Sequence, residues 1–221
     1  MQDDGDRLNE LLFTLEDPEQ VLGKLDDPQK RPLFSIARLD RIKNLTGLAK
    51  LSGKSQELQE KCNLILVAGK LLVEETDDYE KAEKIKKLYA IIDQYNLHGK
   101  IRWLGVRLSK SLSGEIYRVI ADRQGVFVQP ALFEAFGLTI LEAMITGIPT
   151  FGTQFGDPLE IIQDRVNGFY INPTNHLKTA QKLLIFYRNA KTIPTIGMKF
   201  QREELTEFTA PIPGKFTLPS C

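Results

Sequence analysis

Two glutamates flank a glycine turn in Phe133-Glu134-Ala135-Phe136-Gly137-Leu138-Thr139-Ile140-Leu141-Glu142, an arrangement with the chemistry to grip a nucleotide. Ahead of it, Gly125-Val126-Phe127-Val128-Gln129-Pro130 reads as a short buried strand ended by proline, and residues 138–146 read as the helix that follows. At such a helix start the N–H groups near Gly137, Leu138 and Thr139 have no intrahelical acceptor, and with the helix dipole they favour a phosphate. Glu142 is expected in the first turn. Helical side chains lean back toward the N-terminus, so its carboxylate can meet a ribose hydroxyl beside that phosphate. A plainer reading fits the same residues: Thr139-x-x-Glu142 is also a capping-box pattern, and Glu134 a solvated loop acid.

A second cluster, Ala37-Arg38-Leu39-Asp40-Arg41-Ile42-Lys43-Asn44, follows the apolar run Leu33-Phe34-Ser35-Ile36-Ala37. An arginine fork and a lysine point charge, brought to the crevice of the Gly137 turn, would neutralise a diphosphate leaving group without a metal. The alternative is that Arg38, Arg41 and Lys43 are surface charges paired with Asp40.

The elements that must position these groups alternate along the chain. Residues 63–68, 101–105, 148–152 and 168–171 read, with 33–37 and 125–130, as short apolar strands closed by charge or glycine, as buried parallel strands are. Helices are expected between the first two strands and over 80–95, 114–122, 138–146 and 158–163; in the second, Ile85, Leu88, Ile92 and Tyr95 share one face. This order predicts an α/β fold with a doubly wound, Rossmann-like parallel sheet and a ligand at the carboxyl ends of the strands. Residues 1–30 are acid-rich, with a weak amphipathic stretch at Leu8, Leu11, Leu12 and Leu15, and read as an N-terminal arm outside the core.

Composition narrows the class. With 221 residues, 42% of them hydrophobic, the chain can bury one substantial core. Lys and Arg number 29, as do Asp and Glu, so no global charge draws nucleic acid or an anionic membrane. Cys62 and Cys221 form no disulfide framework, and His98 and His176 lack metal-ligand spacing, so neither metal nor cofactor is expected. The acidic N-terminus and the lack of a long apolar run lead to the expectation of a soluble, cytoplasmic protein.

The segment from Phe34 to Leu48, with Val67-Ala-Gly-Lys70, Gln94-Tyr-Asn-Leu-His-Gly-Lys100, Gly114-Glu-Ile-Tyr-Arg118, residues 127–144 and Gly168-Phe-Tyr-Ile-Asn-Pro173, closely resembles the sucrose synthase family, with cyanobacterial wording, from about Leu8 to Lys182. The resemblance implies the nucleotide-sugar-binding C-terminal domain of a two-domain GT-B glycosyltransferase, over residues 31–182. It implies that Arg38 and Lys43 bind the diphosphate of UDP as leaving group. Glu142 would bind ribose hydroxyls, and Glu134, with the Phe136-Gly137-Leu138 backbone, would face the donor glucose, while Thr139 helps present helix N–H groups to phosphate. The implied reaction converts sucrose plus UDP or ADP reversibly into fructose plus nucleotide-glucose with retention; a homo-oligomer is implied for the intact family protein. A non-catalytic nucleotide-binding or interaction module stays open beside this reading, as do sucrose-phosphate synthase and other retaining glycosyltransferases.

Three departures qualify the resemblance. The family's acceptor-side domain, with a histidine that contacts the sugar, is not found in this sequence, so this chain alone is expected to be inactive. The family usually has glycine where Asp157 stands, so the aspartate is expected to strain the Gly156-Asp157-Pro158 turn or repel phosphate. Finally, the likeness stops at a proline-rich stretch, 183–221, expected to be an aberrant and disordered tail. A one-base shift lets codons for Ile193 to Glu203 spell Asn-Pro-Asn-Tyr-Trp-Tyr-Glu-Ile-Ser-Lys-Arg, a phrase of that family, which places a frameshift near residues 178 to 188.

Overall fold

The computed structural model describes residues 2–106 and 109–189. Among these residues seven strands form one sheet: β1 (Val21–Leu22), β2 (Arg31–Ile36), β3 (Cys62–Val67), β4 (Ile101–Leu104), β5 (Val126–Gln129), β6 (Thr150–Thr153) and β7 (Phe169–Ile171). Their spatial order is β1-β4-β3-β2-β5-β6-β7, and every pairing is parallel except that of β1 with β4. The chain runs outward from β2 through β3 to β4, then returns to the other side of β2 with β5. That reversal opens a crevice at the carboxyl ends of β2 and β5, where α/β folds of this kind take ligands.

Among the described residues eight α-helices cover the sheet: α1 (Gln2–Phe13), α2 (Leu45–Gly53), α3 (Gln56–Lys61), α4 (Tyr79–Gln94), α5 (Lys110–Asp122), α6 (Leu138–Ile145), α7 (Pro158–Ile161) and α8 (His176–Asn189). Successive strand residues enter opposite cores. Leu33, Leu64, Leu66 and Trp103 pack with α2, α4 and α8, while Phe34, Ile65, Val67, Leu104 and Phe127 pack with α1, α5 and α6. Burial on both faces is why these strands read as continuous apolar runs rather than alternating ones. The single helix expected between β2 and β3 is two, because Ser55 accepts a hydrogen bond from the Leu58 N–H at 3.4 Å and starts α3 afresh.

The N-terminal segment is not an arm outside the core. Leu8, Leu11, Leu12 and Phe13 are buried, forming one stripe of α1 against α5 and β4, and Val21 and Leu25 join the same core. Arg102, in the middle of β4 and 1% exposed, fixes this segment: its guanidinium donates to the carbonyls of Leu11 at 2.8 Å, Gly23 at 2.9 Å and Leu15. Burial lowers its pKa to about 10, with the Glu16 charge acting in the opposite direction.

The boundary expected at residue 183 is also displaced. Residues 183–189 complete α8, where Leu183, Phe186 and Tyr187 are buried at i, i+3 and i+4. Phe186 meets Phe151 and Phe169 edge-on, the Tyr187 hydroxyl donates to the Pro32 carbonyl at 3.2 Å, and Arg188 pairs with Glu57 at 2.6 Å. The stretch carrying the frameshift argument, from Ile193, lies outside the described residues.

Candidate functional site

Arg38 and Lys43 follow β2, and the Glu134–Glu142 turn and helix follow β5, so the switch in strand order brings together groups nearly a hundred residues apart. Between them lies a cleft of about 360 Å³ whose lining includes Arg38, Lys43, Gln129, Thr139, Tyr117 and Glu142. A second hollow of about 640 Å³, reached past Ile36, Ala37 and Arg38, extends under residues 69–81 and carries Lys70, Glu75, Asp77 and Asp78. Both volumes fall in the range of small-molecule sites.

Glu134 is not a solvated loop acid. It is 5% exposed, and its Oε2 receives the Lys43 ammonium at 2.7 Å and the Gln129 amide, while Oε1 accepts the N–H groups of Phe136 and Gly137, each at 3.2 Å. Burial opposes its ionisation, but Lys43 and the two N–H groups outweigh that and hold the carboxyl below the usual range. Glu134 also joins the turn to the 155–157 segment, since its N–H donates to the Phe155 carbonyl at 3.0 Å and its carbonyl accepts from the Asp157 N–H at 2.9 Å.

The helix start differs from the expected one in two respects. Gly137 is the N-cap in a left-handed conformation, φ 66, without a side-chain cap, so Thr139 and Glu142 do not form a capping box. A Cβ there would meet only the tip of the Ile161 side chain, at 2.4 Å from its Cδ1, which can shift, so it is the left-handed backbone that favours glycine at this position. Since the Gly137 N–H is already taken by Glu134, the donors left for a phosphate are those of Leu138 and Thr139, which open α6. Glu142 stands at the fifth position of α6, just beyond the first turn, and still lines the cleft because it leans back.

The other candidates fall into place around this network. The Arg38 side chain is 78% exposed and holds Asp40 only loosely, at 3.5 Å, which leaves it free to swing over the cleft. The Phe136 and Leu138 side chains, 74% and 64% exposed, are not among the residues lining this cleft. Asp157 adopts φ −61, ψ −18, ordinary for any residue; the left-handed position of that turn is Gly156, at φ 101. The expected strain at Asp157 is therefore not present.

Two residues were missed by sequence reasoning. Gln129 ends β5 almost fully buried, with its amide on Glu134 and its Oε1 without a partner among the described residues. Tyr117, on the buried face of α5, donates its hydroxyl to Glu142 at 3.1 Å. The signal was available in both cases: a carboxamide ending an apolar strand and a hydroxyl on a core helix face each need a polar partner.

Known proteins resemble the chain in sequence and in fold. Sucrose synthase of Thermosynechococcus vestitus is 70% identical over 186 residues, covering 84% of this chain and 23% of that protein. Sucrose synthase of Melioribacter roseus is 48% identical, covering 92% of this chain and 26% of that protein. The chain thus spans about a quarter of the length of these relatives. Among solved structures, the C-terminal domain of the glycosyl transferase group 1 family protein LpcC from Francisella tularensis matches with TM-score 0.67 at 18% identity, covering 92% of this chain and 98% of that one. Anabaena Alr3699/HepE, solved in complex with UDP and glucose, matches with TM-score 0.68 at 19% identity, covering 91% of this chain and 47% of that one. These distant structures establish the fold: the mostly parallel α/β sheet is that of GT-B glycosyltransferases. Among the described residues no helix is long and apolar enough to cross a membrane. The model of "Glycosyl transferases group 1" matches residues 19–195, spanning the whole crevice from β2 to α6, and the chain belongs to that family.

Proposed function

We propose that this chain is the donor-side domain of a sucrose-synthase-type hexosyltransferase, holding UDP or ADP and its glucosyl derivative at the β2–β5 crevice. The observation that carries the reading is the convergence of Arg38, Lys43, Thr139 at the start of α6 and Glu142 on one cleft. Cations and helix N–H groups suit a diphosphate, and an exposed carboxylate beside them suits the hydroxyls of a ribose. In the neighbouring hollow Lys70 and Lys81 are paired with Glu75 and Asp78, whereas among the described residues no acidic side chain other than Glu142 lines the cleft beside Arg38 and Lys43, so the diphosphate is assigned to the Arg38–Lys43 end. The sequence likeness to sucrose synthases and the UDP-bound structural relative support the same ligand class.

As the bond between the anomeric carbon and the diphosphate breaks, negative charge grows on the departing phosphate, and Arg38 and Lys43 stabilise it there. Lys43 already lies 2.7 Å from Glu134, so it shares its charge between a resident carboxylate and the incoming phosphate. Glu134, held in place by four donors, stays ionised beside the sugar end of the ligand. Transfer between glucose and fructose also needs the acceptor held against the donor in a closed cleft, worth about 7–11 kcal/mol of barrier. The crevice described here is one wall of such a cleft, and this chain alone binds nucleotide without turning sucrose over.

Calorimetry with UDP tests the site. Binding is expected in the native protein and lost in Lys43→Glu, which places a like charge against phosphate; equal affinity in the two proteins would refute the assignment. Incubation with sucrose and UDP should release no fructose, and turnover at the rate of an intact synthase would overturn the one-wall reading.

A further inference from the structure

We propose that Tyr117 is a positioning residue for nucleotide recognition, fixing the Glu142 carboxylate so that the site distinguishes a ribonucleotide from one lacking ribose hydroxyls. The inference rests on the assignment of Glu142 to the ribose. Glu142 is exposed on α6, and a free glutamate at such a place samples several rotamers, most of them directed away from the cleft. Tyr117 removes that freedom. Its hydroxyl donates to Glu142 Oε2 at 3.1 Å and also lies 3.5 Å from the Thr139 carbonyl, so the hydroxyl spans one turn of α6.

The tyrosine is itself immobilised. It is 1% exposed, and its ring meets Phe34 of β2 at 5.7 Å and 84° and Phe127 of β5 at 5.8 Å and 67°. These are the two strands that flank the crevice, so the hydroxyl is fixed relative to both halves of the site. Burial, followed by the charge of Glu142, pushes the phenol well above its ordinary pKa, which keeps it a donor across the working pH range. One oxygen of Glu142 is thereby committed to protein and the other is left for a ligand hydroxyl. A phenylalanine would complete the core equally well, so core packing alone does not account for the hydroxyl.

The test compares UDP with 2′,3′-dideoxyuridine diphosphate by calorimetry. The native protein should prefer UDP. Tyr117→Phe keeps the ring and should weaken UDP binding by about tenfold, the value of one hydrogen bond to a charged group, while leaving the dideoxy compound unchanged. Glu142→Gln, which leaves Tyr117 in place, should lower the preference similarly, and the double variant should fall little further, since both act through one contact. Unchanged UDP affinity in Tyr117→Phe, or equal weakening of both nucleotides, would overturn the positioning role; the second result would mark a purely structural residue. A native protein that binds UDP and the dideoxy compound equally would instead remove the ribose assignment of Glu142, and one that binds neither would remove the nucleotide site.

Discussion

Replacing Lys43 with methionine should destabilise the fold as well as abolish nucleotide binding, and the size and pH dependence of that loss can be worked from the Glu134 network. The Lys43 and Glu134 side chains are 26% and 7% exposed, and their ion pair is 2.7 Å long. Methionine fills much the same volume but leaves the carboxylate with only three neutral donors: the Gln129 amide and the N–H groups of Phe136 and Gly137. Orphaning one partner of a fully buried pair costs about 3–5 kcal/mol, whereas exposed pairs contribute about 0–1 kcal/mol. The remaining donors and the partial exposure of Lys43 place the expected loss between those limits, at about 2 kcal/mol, or about 4–8 °C in Tm for a chain of this size. The sign with pH follows from the folded carboxyl being held below its ordinary value. In the native protein Glu134 contributes stability that is present above its unfolded pKa and is lost as pH falls through the lower folded value. Without Lys43, burial is no longer outweighed and the folded carboxyl moves up, so protonation relieves the unpaired charge. The gap between native and variant melting temperatures should therefore be widest near pH 7, narrow as pH falls into the ordinary carboxyl range, and close only below the lowered folded value of Glu134. Thermal denaturation followed by circular dichroism across that range decides it. Equal melting at pH 7, or a gap that widens on acidification, would show that the pair does not support the fold.

Two other substitutions probe the parts of the chain that depart from expectation. Arg102→Met removes the donors to three backbone carbonyls, at Leu11, Leu15 and Gly23, and should cost about 3 kcal/mol or more and render the 14–25 segment sensitive to limited proteolysis; unaltered cleavage would mean that the α1 stripe holds the segment without the guanidinium. Asp157→Gly should lower stability by about 0.5–1 kcal/mol, because φ −61 suits any residue and glycine only adds freedom to the unfolded chain; a gain in melting temperature would show that the turn is strained after all.

The strands and most of the helices were legible because each is a local pattern: runs such as Leu64 to Val67 are apolar throughout when both sheet faces are covered, and α4 announces itself through Ile85, Leu88 and Ile92 on one face. Long-range satisfaction was not legible. Arg102 interrupts the apolar run of β4 as if it faced solvent, yet its partners are carbonyls about eighty to ninety residues earlier in the chain, and with them the acid-rich N-terminal segment joins the core. The same limit applied at the site. Arg38, Lys43, Glu134 and Glu142 could be proposed from residue type, but that Lys43 bonds Glu134 depends on β2 lying beside β5, which no local spacing records.

That contact separates the two glutamates in kind. Glu134 carries the lysine, caps the turn into α6 and ties the turn to the 155–157 segment, so a loss of binding on substituting it confounds ligand contact with the integrity of the turn. The Glu142 side chain is exposed and, among the described residues, bonds only the Tyr117 hydroxyl, so its substitution should report on the proposed ligand contact with little effect on folding. A pair of carboxylates that look equivalent in sequence thus divides into one that builds the site and one that, on the proposed reading, meets the ligand, and the division follows from burial: a desolvated carboxylate must be surrounded by donors, whereas an exposed one keeps an oxygen to offer.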